Sequence, residues 1–491
     1  MFCVSIIQDS RRLALADMVN AKQFGADVLE VRLDRFGKSP EIGEMVAARP
    51  KPVIMTCRRP ADGGFFEDSE EERLAILRQC IISKADYVEI ELDVADDIRP
   101  FPPSKRVIAY TNLSETPIEI QEIYEEMKTK RADVIKLVTL ARTPEEAWPL
   151  VQILAKSVVP TVVVGLGKPG IMLSVLSRKL GAPWIYAALE RGLEAYPGQP
   201  TVEDFRDIYR LQDIQKTTRL IGVTGFGERD QITVAALNAA FAHHNLAFRC
   251  LPMAIGNMKI FKKVMEAVKL AGAVIDPEHQ ANIVEIQPEL HGLAKETQAV
   301  DVLIHKNEAW HGMHTSGQAW VNALKNALKK RNPGDNPLKD RFVLLAGLTG
   351  ASRIIAAEVQ RLGGNAIIAT NDKKRGPAVA AAVGCRYIAF EALYVTLHDV
   401  LVVCDEEIDE KLGRAGIRPA YLKPGMTVID LSAGAKRTQL LREAQSRECE
   451  IVMPIDLILD IVEGQAKTLT GKSTPREVLK AAIPARFLEE E

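Results

Sequence analysis

Hydrophobic and polar positions alternate in blocks along the first 215 residues. Short apolar runs occur at 3–8 (CVSIIQ), 27–34 (DVLEVRLD), 52–58 (PVIMTCR), 87–93 (YVEIELD), 106–112 (RVIAYTN), 134–141 (VIKLVTLA), 161–167 (TVVVGLG) and 184–189 (WIYAAL). Near-continuous apolar runs of this length predict strands buried on both faces. Between them lie longer segments, such as SEEERLAILRQCIISK and TPIEIQEIYEEMKTK, whose apolar positions recur at helical spacing. The second opens with Thr116 as a possible N-cap and Pro117 in the first turn. Strand and helix in alternation predict a parallel sheet. Eight such units in this length suit a (β/α)8 TIM-type barrel better than an open sheet.

A fresh α/β pattern starts at LIGVTGFG (220–227), and the polar stretch NPGDNPLKD (332–340) reads as a linker. After it, RFVLLAGLTGASRIIAAEVQRLGGNAIIATND (341–372) reads strand, glycine turn, helix, strand. Gly347 and Gly350 would let the chain turn tightly against a pyrophosphate at a helix N-terminus. The third motif position is Thr349, so a purely structural βαβ turn stays open beside a Rossmann-like dinucleotide-binding one. Asp372 at the end of the second strand favours a ribose diol, whereas Lys373, Lys374 and Arg375 favour a 2′-phosphate. The expected organisation is α/β throughout. It comprises a barrel at 1–215, a substrate lobe at 218–332 with 472–491, and a dinucleotide lobe at 338–471.

Composition narrows the classes. At about 150 residues per domain, 491 residues suggest three domains. A chain that is 47% apolar and 26% charged is an ordinary globular protein. A net charge of −2 gives no electrostatic footprint for nucleic acid or an anionic membrane, and the basic run Lys329-Lys330-Arg331 reads as a solvated helix end. No apolar run approaches the roughly 18 residues a membrane span needs, and the N-terminus lacks a basic region before its apolar residues. Seven scattered cysteines without a CxxC pair suggest reduced thiols, a cytoplasmic location and no zinc site. The spacing of His305, His311 and His314 fits no standard zinc pattern, so no metal is expected.

Candidate chemistry gathers at strand ends. In a barrel, polar residues at the C-terminal ends of the strands belong to the active-site face. These are Glu30, Arg32 and Asp34, then Arg58, Glu89, Glu91 and Lys136. A lysine inside an apolar strand has two readings. Its head can snorkel to water, or it can be desolvated and attack a carbonyl to form a Schiff base. Any one of these charges fits a structural ion pair. Several on one face point to an anionic, polyhydroxylated or carbonyl-bearing ligand.

The motifs EVRLDRF (30–36), TCRRPADGG (56–64), YVEIELD (87–93), DVIKLV (133–138) and YPGQPT (196–201) resemble, in order and spacing, those of the type I 3-dehydroquinate dehydratases. The resemblance implies that Lys136 forms an imine with the ketone of 3-dehydroquinate. Glu30 and Arg32 would support it and hold hydroxyls. Arg58 would contact substrate, Asp62 would take the place of a family glutamate in catalysis, and Gln199 would lie on a lid loop. Three positions depart from the family. Thr111 stands where it carries a histidine general acid/base, and residues 1–242 contain no histidine. Ser174 stands where it carries a carboxylate-binding arginine, with Arg178 one turn later. Ala195 replaces a lid serine.

The second half resembles the shikimate dehydrogenases in GLTGASR (347–353), TVIDLSAGAKRTQLL (427–441) and LTGKSTP (469–475). That implies NADP-dependent reduction of 3-dehydroshikimate. Gly347, Thr349, Gly350, Asn371 and Lys373 would bind the cofactor, while the dehydratase half needs none. Here too substrate positions differ. Glu228 and Asp230 replace paired serines, two acids that would repel a carboxylate. His279 replaces a lysine, Asp301 an asparagine, Ser316 an aspartate, and the late glutamine falls near Ile461. The expected function is therefore two consecutive shikimate-pathway steps on small-molecule substrates, with no nucleic-acid or membrane partner. The substitutions leave open an impaired paralogue that binds a metabolite or protein, and an imine-forming enzyme with another substrate.

Overall fold

All eight predicted strands of the first half are present in the computed structural model. They are β1 (Phe2–Ile6), β2 (Val28–Arg32), β3 (Val53–Thr56), β4 (Tyr87–Glu91), β5 (Lys105–Asn112), β6 (Val134–Leu140), β7 (Thr161–Leu166) and β8 (Ile185–Ala187). The structure describes all residues except 37–40, 331–333, 335, 406–407, 410–413 and 489–491. The strands lie in the order β7-β6-β5-β4-β3-β2-β1-β8. Among the described residues no ladder joins β7 to β8, so the parallel barrel is nearly closed. Its register sets Ser5 beside Glu30, Glu89 beside Val107, and Ala109 beside Lys136. The strand residues are almost all buried, as strands covered on both faces require.

Among the described residues six helices wrap the barrel: α1 (Arg11–Phe24), α2 (Ile42–Ala48), α3 (Glu70–Ile82), α4 (Ile120–Thr129), α5 (Pro144–Lys156) and α6 (Ile171–Leu180). Local chemistry sets their ends. Ser69 and Glu72 form a reciprocal capping box that starts α3. Thr143 caps α5 just ahead of Pro144, whose fixed φ suits the first turn. One expected start is wrong: α4 begins at Ile120, not near Thr116. The Thr116 hydroxyl is instead 2.9 Å from Thr139 Oγ1 and donates to the Leu140 carbonyl at 3.1 Å, so it fastens the end of β6 rather than capping a helix.

The chain divides into two compact units. One is Met1–Arg219 with Arg249–Val268, and the other is Leu220–Phe248 with Lys269–Glu491. The second unit carries two α/β sheets. In one, strands Arg219–Thr224, Gly272–Val274, Val302–Lys306, Ala309–Met313 and Glu289–Leu290 follow one another in that spatial order. In the other, six parallel strands lie in the order Arg386–Ile388, Asn365–Ala369, Phe342–Ala346, Val400–Val403, Thr427–Asp430, Glu450–Ile451. Numbered along the chain this is 3-2-1-4-5-6, the doubly wound order with a switch point beside Phe342–Ala346. Val343 and Leu345 pack into one core layer and Leu344 and Ala346 into the other, so both faces of the sheet are covered. The linker expected at 332–340 and Arg331 of the basic run fall partly or wholly outside the described residues. Among the described residues no helix is long and apolar enough to cross a membrane.

Candidate active site

Alternation along β2, β4 and β6, which are every second strand of the barrel, aims Glu30, Glu89 and Lys136 into its interior. There they form a closed ring with Arg58. Lys136 Nζ donates to Glu30 Oε1 at 2.8 Å and to Glu89 Oε2 at 2.7 Å. Arg58 donates to the same two carboxylates, at 2.6 Å to Glu30 Oε1 and 2.9 Å to Glu89 Oε1. Ser5 Oγ donates to the remaining oxygen of Glu30 at 2.7 Å. The Tyr186 ring closes over Lys136, 4.1 Å from Nζ to the ring centre. Lys136 is only 2% exposed, which excludes a side chain that snorkels to water. Its ammonium is not isolated among apolar groups either, because two carboxylates face it.

Electrostatics follow from the pairing. Burial alone would push the Glu30 carboxyl up, but Arg58, Lys136 and Arg32 outweigh it and hold the group well below the usual carboxylate range. The same burial drives the Tyr186 phenol well above its ordinary value, and the Glu30 charge adds to this. Two cations and two anions make the ring neutral overall, which is the condition under which four buried charges are tolerated.

Above the ring opens a cavity of about 440 Å³, within the range of small-molecule sites. Lys136, Glu30, Arg32, Arg58, Asp62, Thr111 and Gln199 all line it, so the residues named from sequence meet at one place. Their hydrogen bonds distinguish their roles. Arg32 is clamped bidentately to Asp34 at 2.7 and 2.8 Å and to the Gly63 carbonyl at 3.1 Å. Asp62 accepts from Arg59 at 2.7 Å. Gly64 presses on the backbone of Arg58: an added Cβ would stand 2.0 Å from the Arg58 carbonyl oxygen, so the diglycine sets the depth of that arginine. Gln199 Oε1 accepts from Ala195 N at 2.7 Å, while its Nε2 is buried without a partner. A buried donor left open at a cavity wall is a ready ligand contact. Glu91 does not join the ring. It pairs instead with buried Arg73 at 2.6 Å.

The upper wall is different. Val138 and Leu140 continue β6 above Lys136, Val164 and Leu166 face them from β7, and Leu113 and Tyr196 complete an apolar collar. Neither Ser174 nor Arg178 lines the cavity. Arg178 Nε donates to the Leu211 carbonyl at 3.3 Å, so it does not replace the missing carboxylate clamp.

In the second unit a smaller cleft is lined by Thr224, Arg229, Asp230, Asp276, Gln280, Ser316, Ile461 and Gln465, among others. The two acids expected to repel a carboxylate have other partners. Glu228 accepts from Ala435 N at 2.9 Å, and Asp230 turns back to Gly227 N at 2.9 Å. Burial pushes the Asp230 carboxyl up to about 6, with Asp276 adding to the effect. Between them Arg229 brings a guanidinium to the cleft, a residue the motif comparison passed over. Gln465 was also missed. It lies one helical turn beyond Ile461, on helix Pro454–Thr470, and its buried Oε1 has no partner. The i, i+4 spacing was the available signal. Asp301 accepts from Ser316 Oγ at 2.5 Å and from both backbone N–H groups at the helix start, a capping role. His279 does not line the cleft. Its Nδ1 is 2.8 Å from Asp276, which also binds Thr224.

The glycine turn of the dinucleotide-type lobe is built for close approach. Gly347 has φ +101°, and a Cβ there would stand 2.7 Å from that of Asp405. Thr349 caps helix Gly350–Arg361 through Ser352 N, and a Cβ on Gly350 would meet nothing closer than 3.9 Å. Asp372 is occupied: it accepts from Lys374 N, Arg375 N and Arg375 Nε. Lys373 N donates to the Asn371 carbonyl in the same turn.

Fold and site together define a barrel with a buried, carboxylate-paired lysine, followed by a doubly wound module. Residues 2–216 match the family described as Type I 3-dehydroquinase. A 3-dehydroquinate dehydratase of Methanopyrus kandleri is 33% identical over 210 residues, covering 42% of this chain and 94% of that protein. A bifunctional 3-dehydroquinate dehydratase/shikimate dehydrogenase of Arabidopsis thaliana, a chloroplastic protein, is 24% identical over 97% of this chain and 83% of its own. A solved structure of dehydroquinate dehydratase and shikimate dehydrogenase from S. pombe aligns over 98% of both chains, at 19% identity and a TM-score of 0.43. The chain belongs to the type I 3-dehydroquinase family, with a shikimate dehydrogenase-like module fused after the barrel.

Neutralising one member of the ring leaves a buried charge without its partner. Glu30→Gln is expected to destabilise the barrel by about 3–5 kcal/mol, read from denaturant unfolding of the full chain. Because the Glu30 pKa is depressed, its contribution is complete above the unfolded glutamate value of about 4.3 and is lost only as pH falls below it. The gap between wild type and variant should therefore be flat from pH 5 to 8. A loss under about 1 kcal/mol, or a gap that closes on approaching neutrality, contradicts the charge assignment.

Proposed function

We propose that this chain dehydrates 3-dehydroquinate through an imine on Lys136 and reduces the resulting 3-dehydroshikimate with NADPH. The closed ring around Lys136 at the floor of a substrate-sized cavity carries the first assignment, and the names of the Arabidopsis and Methanopyrus relatives support it. To attack, Lys136 passes a proton to Glu89, 2.7 Å away, since Arg58 and Arg32 hold Glu30 ionised. The amine adds to the ketone carbon, and water leaves to give the imine. Its protonated form carries the positive charge that the ammonium carried, so the ring is neutral again. That iminium acidifies the adjacent C–H. Loss of that proton gives an enamine, which expels the neighbouring hydroxyl; the hydroxyl takes up an equivalent proton and leaves as water, and hydrolysis of the product imine frees Lys136.

Proton transfer is the weak step. Thr111 sits on β5 beside Val138, one level above Lys136, where the family histidine would stand. A threonine hydroxyl does not ionise near neutral pH and cannot serve as a general acid/base, so we expect turnover about 10²–10⁴ below that of a histidine-bearing barrel. Asp62, Arg32, Arg58 and Gln199 would position the substrate hydroxyls.

We assign the dehydration to residues 1–215. The reduction falls to the substrate lobe at 218–332 with 472–491 and to the cofactor lobe at 338–471. The tight turn at Gly347, the bare helix start at Gly350 and the fold order fit a nicotinamide dinucleotide. Gly347, Thr349 and Gly350 would hold its pyrophosphate, and Asn371 and Lys373 its ribose end. With Asp372 engaged by its own turn and lysines beside it, NADP suits the site better than NAD. The bound cofactor supplies hydride. Arg229 would hold the substrate carboxylate.

A second reading keeps the imine and changes the substrate. Every cation lining the barrel cavity is already paired, and the upper wall is apolar, which favours a carbonyl compound without a carboxylate.

Borohydride reduction in the presence of 3-dehydroquinate should add the ligand's mass to the peptide bearing Lys136. Trapping only with a cyclic ketone that lacks the carboxylate selects the second reading. Trapping with neither overturns both. If the dehydration reading holds, Thr111→His should raise kcat by about 10²-fold or more, and an unchanged rate contradicts the assigned place of the proton relay.

A further inference from the structure

Away from both clefts, three side chains with metal-binding atoms converge at the edge of a sheet in the second unit. The edge strand is Glu289–Leu290, parallel to Ala309–Met313, with Glu289 opposite His311 and Leu290 opposite Gly312. Residues opposite one another share a face, and so does the residue two positions on. Glu289, His311 and His291 therefore project to one side, and His291 N donates to the Gly312 carbonyl at 3.0 Å to hold the register.

The atoms are spaced as ligands. His291 Nε2 and His311 Nδ1 are 3.0 Å apart, and His311 Nδ1 is 3.3 Å from Glu289 Oε2. All three donors lie within 4.8 Å of one another. Ligand bonds of about 2.0–2.1 Å in a tetrahedron place neighbouring ligand atoms about 3.3 Å apart, so the side chains stand close to the required edges. His311 Nε2 is 3.3 Å from the Lys306 carbonyl, which can only accept. With the proton on Nε2, the His311 Nδ1 lone pair is turned toward both His291 Nε2 and the Glu289 carboxylate. A metal ion would take the place of the His291–His311 hydrogen bond, and a backbone carbonyl behind a histidine is the usual support of a metal ligand.

The set differs from the three histidines that lie close together in sequence, for which no metal is expected. His305 packs on Trp310, with ring centres 4.8 Å apart. His314 is buried beside Trp320 and bonds Gln280. Of the three, only His311 takes part, and β-pairing supplies its partners.

We propose that Glu289, His291 and His311 bind one divalent transition-metal ion of the zinc class. Two imidazoles and a carboxylate suit zinc, nickel or copper rather than calcium or magnesium. Two of the three residues are exposed, so a fourth position is open to water. The ion would fasten an edge strand that only two ladder pairs hold.

The test is a titration of the metal-stripped full chain with Zn2+ against a chromophoric chelator. One equivalent should bind. His291→Ala and His311→Ala should each weaken it by about 100-fold or more, with unchanged circular dichroism because the residues are at the surface. Co2+ in the same site should show a ligand-field band without thiolate charge transfer, which separates it from the seven cysteines. No stoichiometric binding overturns the proposal. So does binding that both variants retain, or a thiolate signature.

Discussion

The barrel depends on a ring of four alternating charges. Lys136, Glu30, Arg58 and Glu89 each touch two oppositely charged neighbours, and none reaches bulk water freely. Such a ring stabilises only when complete, because each member otherwise carries the cost of its own desolvation. That constraint has a chemical consequence. A group that must stay cationic to balance two carboxylates can exchange its ammonium for an iminium without disturbing the balance. The charge that the ring requires of Lys136 is the one that the proposed iminium would keep.

The rest of the cavity is built differently from that floor. The collar of Val138, Leu140, Val164 and Leu166 offers no charge to a carboxylate, and Thr111 offers no group that titrates near neutral pH. The second unit balances its charges in another way. Glu228 and Asp230 are engaged with backbone N–H groups, and Arg229 brings the opposite charge into the cleft. The glycine turn at 347–350 has the two features that a close backbone approach requires, a left-handed Gly347 and an unobstructed Gly350.

Much of this was legible in the sequence. The eight strands were visible because barrel strands are apolar throughout and their spacing is regular. Glu30, Arg32, Arg58 and Lys136 were visible because charges are rare at such positions. What the sequence hid was partnership. Glu89 stood out as an acid but not as the second arm holding Lys136, since 47 residues separate them. Thr116 looked like a cap because capping preference is local, and a tertiary bond to the Leu140 carbonyl overrode it. His311 was grouped with its neighbours in sequence. Only the pairing of Glu289–Leu290 with Ala309–Met313 revealed His291 and Glu289 beside it.

A double-mutant cycle on Glu30→Gln and Lys136→Met addresses the central claim most directly. Each single change strands a buried charge, whereas the double change removes a neutral pair and leaves Arg58 with Glu89. The double variant should cost less than the sum of the singles, with a coupling of about 1.5–3 kcal/mol in the unfolding free energy. Additivity within about 0.5 kcal/mol would mean that the two residues do not share one charge-balanced ring.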